Sequence, residues 1–238
     1  MKLDILVFGA HPDDVELGCG GTIAKHVALG YKVGVVDLTQ GELGTRGSIE
    51  TRKQEATDAS KILKLSVREN LGLKDGFFIN DQPSQLKLIQ AIRKYQPEIV
   101  IANAVGDRHP DHGKGSKLAF DSCFFSGLSK IETVDNNLAQ TPWRPKKLYH
   151  YIQSQFIMPD LVVDISDYWK EKIDSVLAYK TQFYSAASSE PETYISKPAF
   201  LTFLEARARE LGQSINVEYA EGFTVNSMIG VDHLFQIH

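Results

Sequence analysis

Residues 3–14 read LDILVFGAHPDD, and the change of character in the middle of this stretch decides the fold. The apolar run at 3–9 is rich in branched and large side chains and stops at Ala-His-Pro, which reads as a buried strand and its exit. Proline biases the residue before it towards extended angles and suits the first turn of a helix. His11 is therefore expected in extended chain and Asp14 in an opening helical turn.

The same logic carries outward along the chain. Val15, Ile23, Val27 and Ala28 fit a helix from about Asp14 to Leu29 that ends at Gly30, and 31–39 reads as a second buried strand. After the glycine-rich QGELGTRGS, residues 49–64 carry a helical stripe of Ala56, Ala59, Ile62 and Leu63, and 66–71 is a shorter strand. Asn80-Asp81 caps an amphipathic helix over 83–95, marked by Leu86, Ile89 and Ile92, and 98–104 (EIVIANA) is a fourth strand. Further on, strands are expected at 147–152 and 161–165, helices at 167–181 and 199–211, and a polar loop at 183–198.

Nearly continuous apolar strands alternating with helices predict an α/β chain. The fold expected is a Rossmann-like, mostly parallel sheet with helices on both faces and a C-terminal α+β elaboration, in one domain over 1–238. Its strand order is expected to begin 3-2-1-4.

Composition narrows the function classes. Lysine and arginine total 26 against 30 acidic residues, with no long run of like charge, so neither nucleic acid nor an anionic membrane is an expected partner. The first apolar run is too short for a secretion signal, and no stretch nears the roughly 18 apolar residues of a membrane span. Cys19 and Cys123 form no Cys-x-x-Cys pair, which excludes a thiolate metal site and fits a reducing cytoplasm.

One pattern occurs twice, His-Pro-Asp-Asp at 11–14 and His-Pro-Asp-His at 109–112, each between an expected strand and an expected helix. If strands one and four are neighbours, both corners leave the sheet at a topological switch point and face one crevice. Three histidines and three aspartates gathered there make chemical sense around a cation. His11, Asp14 and His112 are assigned as ligands, an open His-His-Asp set suited to one zinc ion, with iron, manganese or cobalt as alternatives. Asp13 is then placed to take a proton from water activated by the metal, His109 to act as general acid or to stabilise developing charge, and Asp111 to orient an imidazole.

AHPDDVELGCGGT at 10–22 with DRHPDHGKG at 107–115 resembles the PIG-L/LmbE-type zinc de-N-acetylases. GELGTRGSIETRKQEA (41–56), LGLKDG (71–76), ETY (192–194) and YAEGF (219–223) extend the resemblance over most of the chain. It is closest to the branch that deacetylates N-acetylglucosaminyl-malate in bacillithiol synthesis. The resemblance implies the same three ligands and the same base, Asp13, with His109 protonating the leaving amine or stabilising the tetrahedral intermediate. It also implies substrate contacts from Glu42, Arg52 and Asp75, and an oxyanion donor in Tyr194. Arg52 and Arg108 suit a carboxylate on the aglycone, because guanidinium pairs with carboxylate bidentately. Where the family has Glu directly after the two aspartates, this chain has Val15 and then Glu16, a departure that leaves the ligands intact. A homo-oligomer, a hexamer, is implied too, and the apolar FTVNSMIGV (223–231) fits an interface.

Three rival classes compete with this reading. A dinucleotide-binding oxidoreductase would share the sheet, Gly18, Gly20 and Gly21, and an acid, Asp37, at the end of strand two. Yet Asp13 and Asp14 occupy the helix N-terminus where pyrophosphate would bind. A serine hydrolase lacks its Gly-x-Ser-x-Gly. A non-catalytic metal-dependent sugar-binding protein would keep the ligands but would have no use for Asp13.

Overall fold

The computed structural model describes residues 1–186 and 188–236. Nine strands and six helices alternate through it: β1 (Ile5–Gly9), α1 (Asp14–Ala28), β2 (Val33–Thr39), α2 (Ile49–Ile62), β3 (Val67–Leu73), α3 (Gln82–Tyr95), β4 (Ile99–Ala102) and α4 (Pro110–Phe125), then β5 (Val134–Asp135), β6 (Leu138–Ala139), β7 (Lys147–Tyr151), β8 (Leu161–Asp164), α5 (Trp169–Leu177), α6 (Ala199–Gln213) and β9 (Ala220–Val225). Seven strands form one sheet in the order β3-β2-β1-β4-β7-β9-β8, and β5 and β6 make a small hairpin. Neighbours from β3 to β7 run parallel, and β9 lies antiparallel between β7 and β8. The expected α/β class and the 3-2-1-4 order are thus both present.

The central strand alternates its side chains between two cores. Leu6 and Phe8 join Val36, Leu38, Leu88, Ile92 and Leu118 on the face covered by α3 and α4. Ile5 and Val7 join Val15, Ile23, Val35 and Tyr151 on the face covered by α1. Successive strand residues point to opposite faces, so a strand buried on both sides must be apolar throughout, as β1 is. A third cluster, Ala56, Ala59, Val176, Tyr179, Phe183 and Phe200, ties α2, α5 and α6 together beside the sheet.

Helix α1 lies unusually close to its neighbours. A Cβ on Gly18 would come within 2.2 Å of the Tyr151 ring, and one on Gly21 within 2.6 Å of Ile165, so these glycines serve close packing. The helix kinks at Cys19 (φ −148°, ψ 22°), and the Glu221 carboxylate accepts from the backbone N–H groups of Gly21 and Thr22 just beyond. Donors freed by the kink are satisfied from β9.

Two sequence expectations are revised. FTVNSMIGV is divided: Phe223 to Val225 complete β9, with Phe223 in the core, whereas Met228, Ile229 and Val231 are exposed. Apolar character came from a sheet position for the first third of the segment. The helix expected at 167–181 is shorter, a single 3-10 turn at Ser166–Tyr168 leading into α5.

Candidate metal centre and its pocket

Both His-Pro-Asp corners open at the carboxyl ends of β1 and β4, which are hydrogen-bonded neighbours. His11 precedes α1 and His109 caps α4 in an extended conformation, so Asp14 and His112 each fall in a first helical turn. Their rings meet: His11 and His109 are 4.7 Å apart by centroid, His109 and His112 5.1 Å, and His11 and His112 5.7 Å.

The two imidazoles expected to be ligands are held alike. His112 places Nδ1 at 2.6 Å from Asp107 Oδ2, which leaves Nε2 at 3.0 Å from Asp14 Oδ1. His11 places Nε2 at 2.9 Å from Asp75 Oδ1 and 3.5 Å from Asp111 Oδ2, which leaves Nδ1 at 3.5 Å from Asp14 Oδ2. Each ring therefore has one nitrogen pinned by a carboxylate and the other turned to Asp14, the arrangement in which a ligand's tautomer and direction are fixed from behind. Asp14 is held in turn. Its Oδ2 accepts from His11 N–H and from Asn103 Nδ2, and its Oδ1 accepts from Gln153 Nε2. The carboxamide oxygen of Gln153 accepts from Asn103 Nδ2 and Ala104 N–H, so only its nitrogen can face the site.

This donor set fits a divalent cation of the zinc class: two imidazole nitrogens and one carboxylate, buried and convergent. His109 stands within the same space, since ligand-capable atoms of His11, His109 and His112 lie within 4.8 Å of one another. It is more exposed than Asp14, and its Nδ1 accepts from Asp111 N–H.

Electrostatics match the crowding. Burial alone would keep His11 neutral, yet the surrounding carboxylates of Asp111, Asp14 and Asp75 lift its pKa well above the ordinary value. His112 rises to about 9 against its burial, through Asp14 and Asp107. Burial raises the Asp13 carboxyl to about 7, opposed chiefly by Arg52. His109 is lowered by burial and by its positive neighbours, His11 and His112. Asp111, despite burial, is held below the carboxylate range by His11, Lys114 and Gly76 N–H.

Asp13 caps α1 with φ +114°, a region costly for any residue but glycine, and its side chain is almost fully buried. Strain of this kind persists only where surrounding contacts enforce it. Here Arg52 does so, with Nη1 at 2.7 Å from Pro12 O and 3.1 Å from Asp13 Oδ2.

The residues expected at the substrate are thus unevenly placed. Arg52 is spent on Asp13. Both Asp75 oxygens are engaged, one by His11 and the other by Leu43 N–H, and Glu42 accepts from Asp75 N–H. Arg52 and Asp75 are buried next to the corners and line the pocket, where they brace Asp13 and His11, whereas Glu42 is exposed. Arg108 lines the pocket and lies over the Tyr194 ring at 4.4 Å. Tyr194 stands at the rim, 39% exposed, and its neighbour Ile195 lines the pocket. Asp37, the acid at the end of strand two, pairs bidentately with Arg68, which also reaches Glu16.

Sequence reading missed Asp107, Asn103 and Gln153. Asp107 lay in plain view inside DRHPDH, five residues before the histidine it holds. Gln153 gave no local signal; only its place just beyond β7, next to β4, brings it to Asp14.

The pattern described for GlcNAc-PI de-N-acetylase, PIG-L, matches residues 6–123, which hold both corners. The chain belongs to the PIG-L family. Over 97% of its length it is 37% identical to a conserved protein of Thermus thermophilus, TT1542, covering 98% of that chain with a TM-score of 0.85. It is also 28% identical to the diacetylchitobiose deacetylase of Thermococcus kodakarensis, over 75% of this chain and 70% of that one. A third relative, the 4-oxalmesaconate hydratase of Pseudomonas putida, is 25% identical over 91% of this chain and 86% of its own. Deacetylation, the activity that the resemblance of the motifs implied, is the one named for the diacetylchitobiose enzyme.

Proposed function

We propose that this PIG-L protein is a zinc-dependent hydrolase that removes the N-acetyl group from an N-acetylglucosamine conjugate. The observation that carries the reading is the pair of imidazoles, His11 and His112, each pinned by a carboxylate and turned towards Asp14 beside a pocket that also contains Asp13 and His109. A zinc ion held by these three residues would supply Lewis acidity, acidifying water and polarising the amide carbonyl.

The chain's own groups supply the proton transfers. Asp13, raised to about 7 by burial, is matched to accepting a proton from the attacking water near neutral pH. Arg52 fixes the direction of that carboxylate. His109 lines the pocket beside His11 and His112, where it protonates the departing amine or stabilises developing charge, a need set by how poorly an unprotonated amide nitrogen leaves. Asp111 and Asp75 orient His11. Tyr194, whose ring lies beneath Arg108 at the rim, is the proposed donor to the developing oxyanion.

The finer reading is N-acetylglucosaminyl-malate as substrate, in bacillithiol synthesis, with Arg108 pairing with a malate carboxylate. Arg108 has the favourable position at the pocket wall, and the resemblance of the motifs supports this branch. We place the enzyme in the cytoplasm as a homo-oligomer, a hexamer; two free cysteines and the exposed Met228, Leu234 and Phe235 support this reading. Among the described residues, no helix is long and apolar enough to cross a membrane.

The dinucleotide alternative fits poorly, since buried Asp13 and Asp14 occupy the turn a pyrophosphate would need. Water activation would equally serve a hydratase, so the test must read the amide. Zinc-loaded protein should release free amine from N-acetylglucosaminyl-malate faster than from N-acetylglucosamine. Zinc bound with no amine released from either sugar would refute the proposal.

A further inference from the structure

Arg207 brings to the pocket a positive charge that the proposed chemistry leaves unused. It projects from α6, is half-buried, and lines the same space as His11, His112 and Arg108. Its Nη1 donates to Gln153 O and its Nη2 to Ser154 O, while the rings of Phe203 and Phe156 lie 4.8 and 5.5 Å from it. Two carbonyls and two aromatic rings thus hold the guanidinium in place.

A cation in this setting ordinarily has a carboxylate beside it. Most charges at the pocket do: Asp13 has Arg52, Lys172 has Glu221, and Asp14 and Asp75 have the histidines. Among the described residues, Arg207 and Arg108 join no ion pair. Burial lowers the Arg207 pKa, and Glu210 and Asp107 oppose it only from beyond pairing distance. Asp107 is already taken by His112 and Gln155 N–H.

A structural arginine looks different in this fold. Arg93 donates from all three of its nitrogens, to Ser126 O, Ile131 O, Leu128 O and Thr133 Oγ1. Arg207 has five N–H groups and gives two of them to protein acceptors among the described residues. Tyr194 is the common neighbour of the two uncommitted arginines, since its ring lies under Arg108 and its field reaches Arg207. Arg108 precedes α4 and Arg207 lies on α6, an arrangement that suits two separate anions rather than one.

We propose that Arg207 is a second carboxylate-binding residue of the pocket, which with Arg108 selects an amino-sugar conjugate whose aglycone bears two carboxylates, one for each guanidinium. The amide rests on the deacetylase reading. The choice of a dianion rests on the two arginines.

Three conjugates of N-acetylglucosamine test it with zinc-loaded protein: malate, with two carboxylates, and lactate and 3-hydroxypropionate, which each lack one of them. Wild type should prefer malate over both by about tenfold in kcat/KM, the low end for a hydrogen bond to a charged group. Arg207→Gln should erase the preference over one of the two, through KM rather than kcat, and Arg207→Lys, which keeps the charge but not the fork, should keep part of it. A purely structural defect would lower all three conjugates by one factor and leave the preference standing. Calorimetric binding of the corresponding glucosyl conjugates, which carry no amide, reads the same preference without turnover. A preference for malate in binding that Arg207→Gln erases, with no amine released from any conjugate, would uphold the two-arginine site and remove the deacetylase reading. Amine release with no preference for malate, or with a preference that Arg207→Gln leaves intact in both assays, would overturn the inference.

Discussion

His112 Nε2 lies 3.0 Å from Asp14 Oδ1, although the two residues are 98 positions apart in a chain of 238 and come from different strand exits. The contact holds because His112 is anchored from behind by Asp107, whose side chain is fully buried. Removing that anchor frees the ring and its tautomer without touching a ligand. Asp107→Ala is expected to weaken zinc binding by roughly 10- to 100-fold, as loss of a carboxylate behind a metal-bound histidine generally does. Competition against a chromophoric chelator measures it; an unchanged affinity would show that Asp107 does not orient the ligand.

A second prediction concerns the charges under the site. Arg68 is nearly buried, with Asp37 at 2.8 Å and Glu16 at 2.5 Å, and Glu16 is completely enclosed. Arg68→Met would leave two buried carboxylates without their counter-ion. Loss of one partner from a buried pair costs about 3–5 kcal/mol. Urea unfolding should show a loss in that range, recovered in large part when Glu16→Gln and Asp37→Asn are added. A loss below about 1 kcal/mol, the size of an exposed pair, would mean that the network is not holding charge.

Much of this was legible in the residues. A strand buried on both faces must be apolar without interruption, so β1, β2 and β4 announced themselves, and prolines fixed where the chain turned after β1 and before α4. Those two facts brought His11 and His112 to one crevice. What escaped was set by tertiary neighbours. Asp75 and Arg52 look like any loop acid and helix arginine; only their burial against His11 and Asp13 turns them into supports. Phe223 reads as an exposed apolar residue near the C-terminus, because an antiparallel strand inserted between β7 and β8 has no local marker.

The two thiols give a pH prediction. Burial pushes the Cys123 thiol up to about 12 from an ordinary value near 9, and burial raises Cys19 too. The folded protein keeps the thiol protonated where the unfolded chain would release it, so the folded pKa is the higher one. The resulting stabilisation is complete below about pH 9 and is lost as pH rises towards 12. Urea midpoints should fall over that window, and less steeply in Cys123→Ala. Equal slopes in the two proteins would place the alkaline loss elsewhere.

In the proposed function His11, Asp14 and His112 hold a metal and Asp13 takes the water's proton, a division of roles open to direct test. It is tested by amine release from an N-acetylglucosamine conjugate, comparing zinc-loaded wild type with zinc-loaded Asp13→Asn at equal metal occupancy. Turnover is expected in the wild type, with a loss of at least about a hundredfold in the variant, the least that a positioned general base contributes. Full activity in Asp13→Asn, or zinc-loaded wild type that releases no amine, would contradict it.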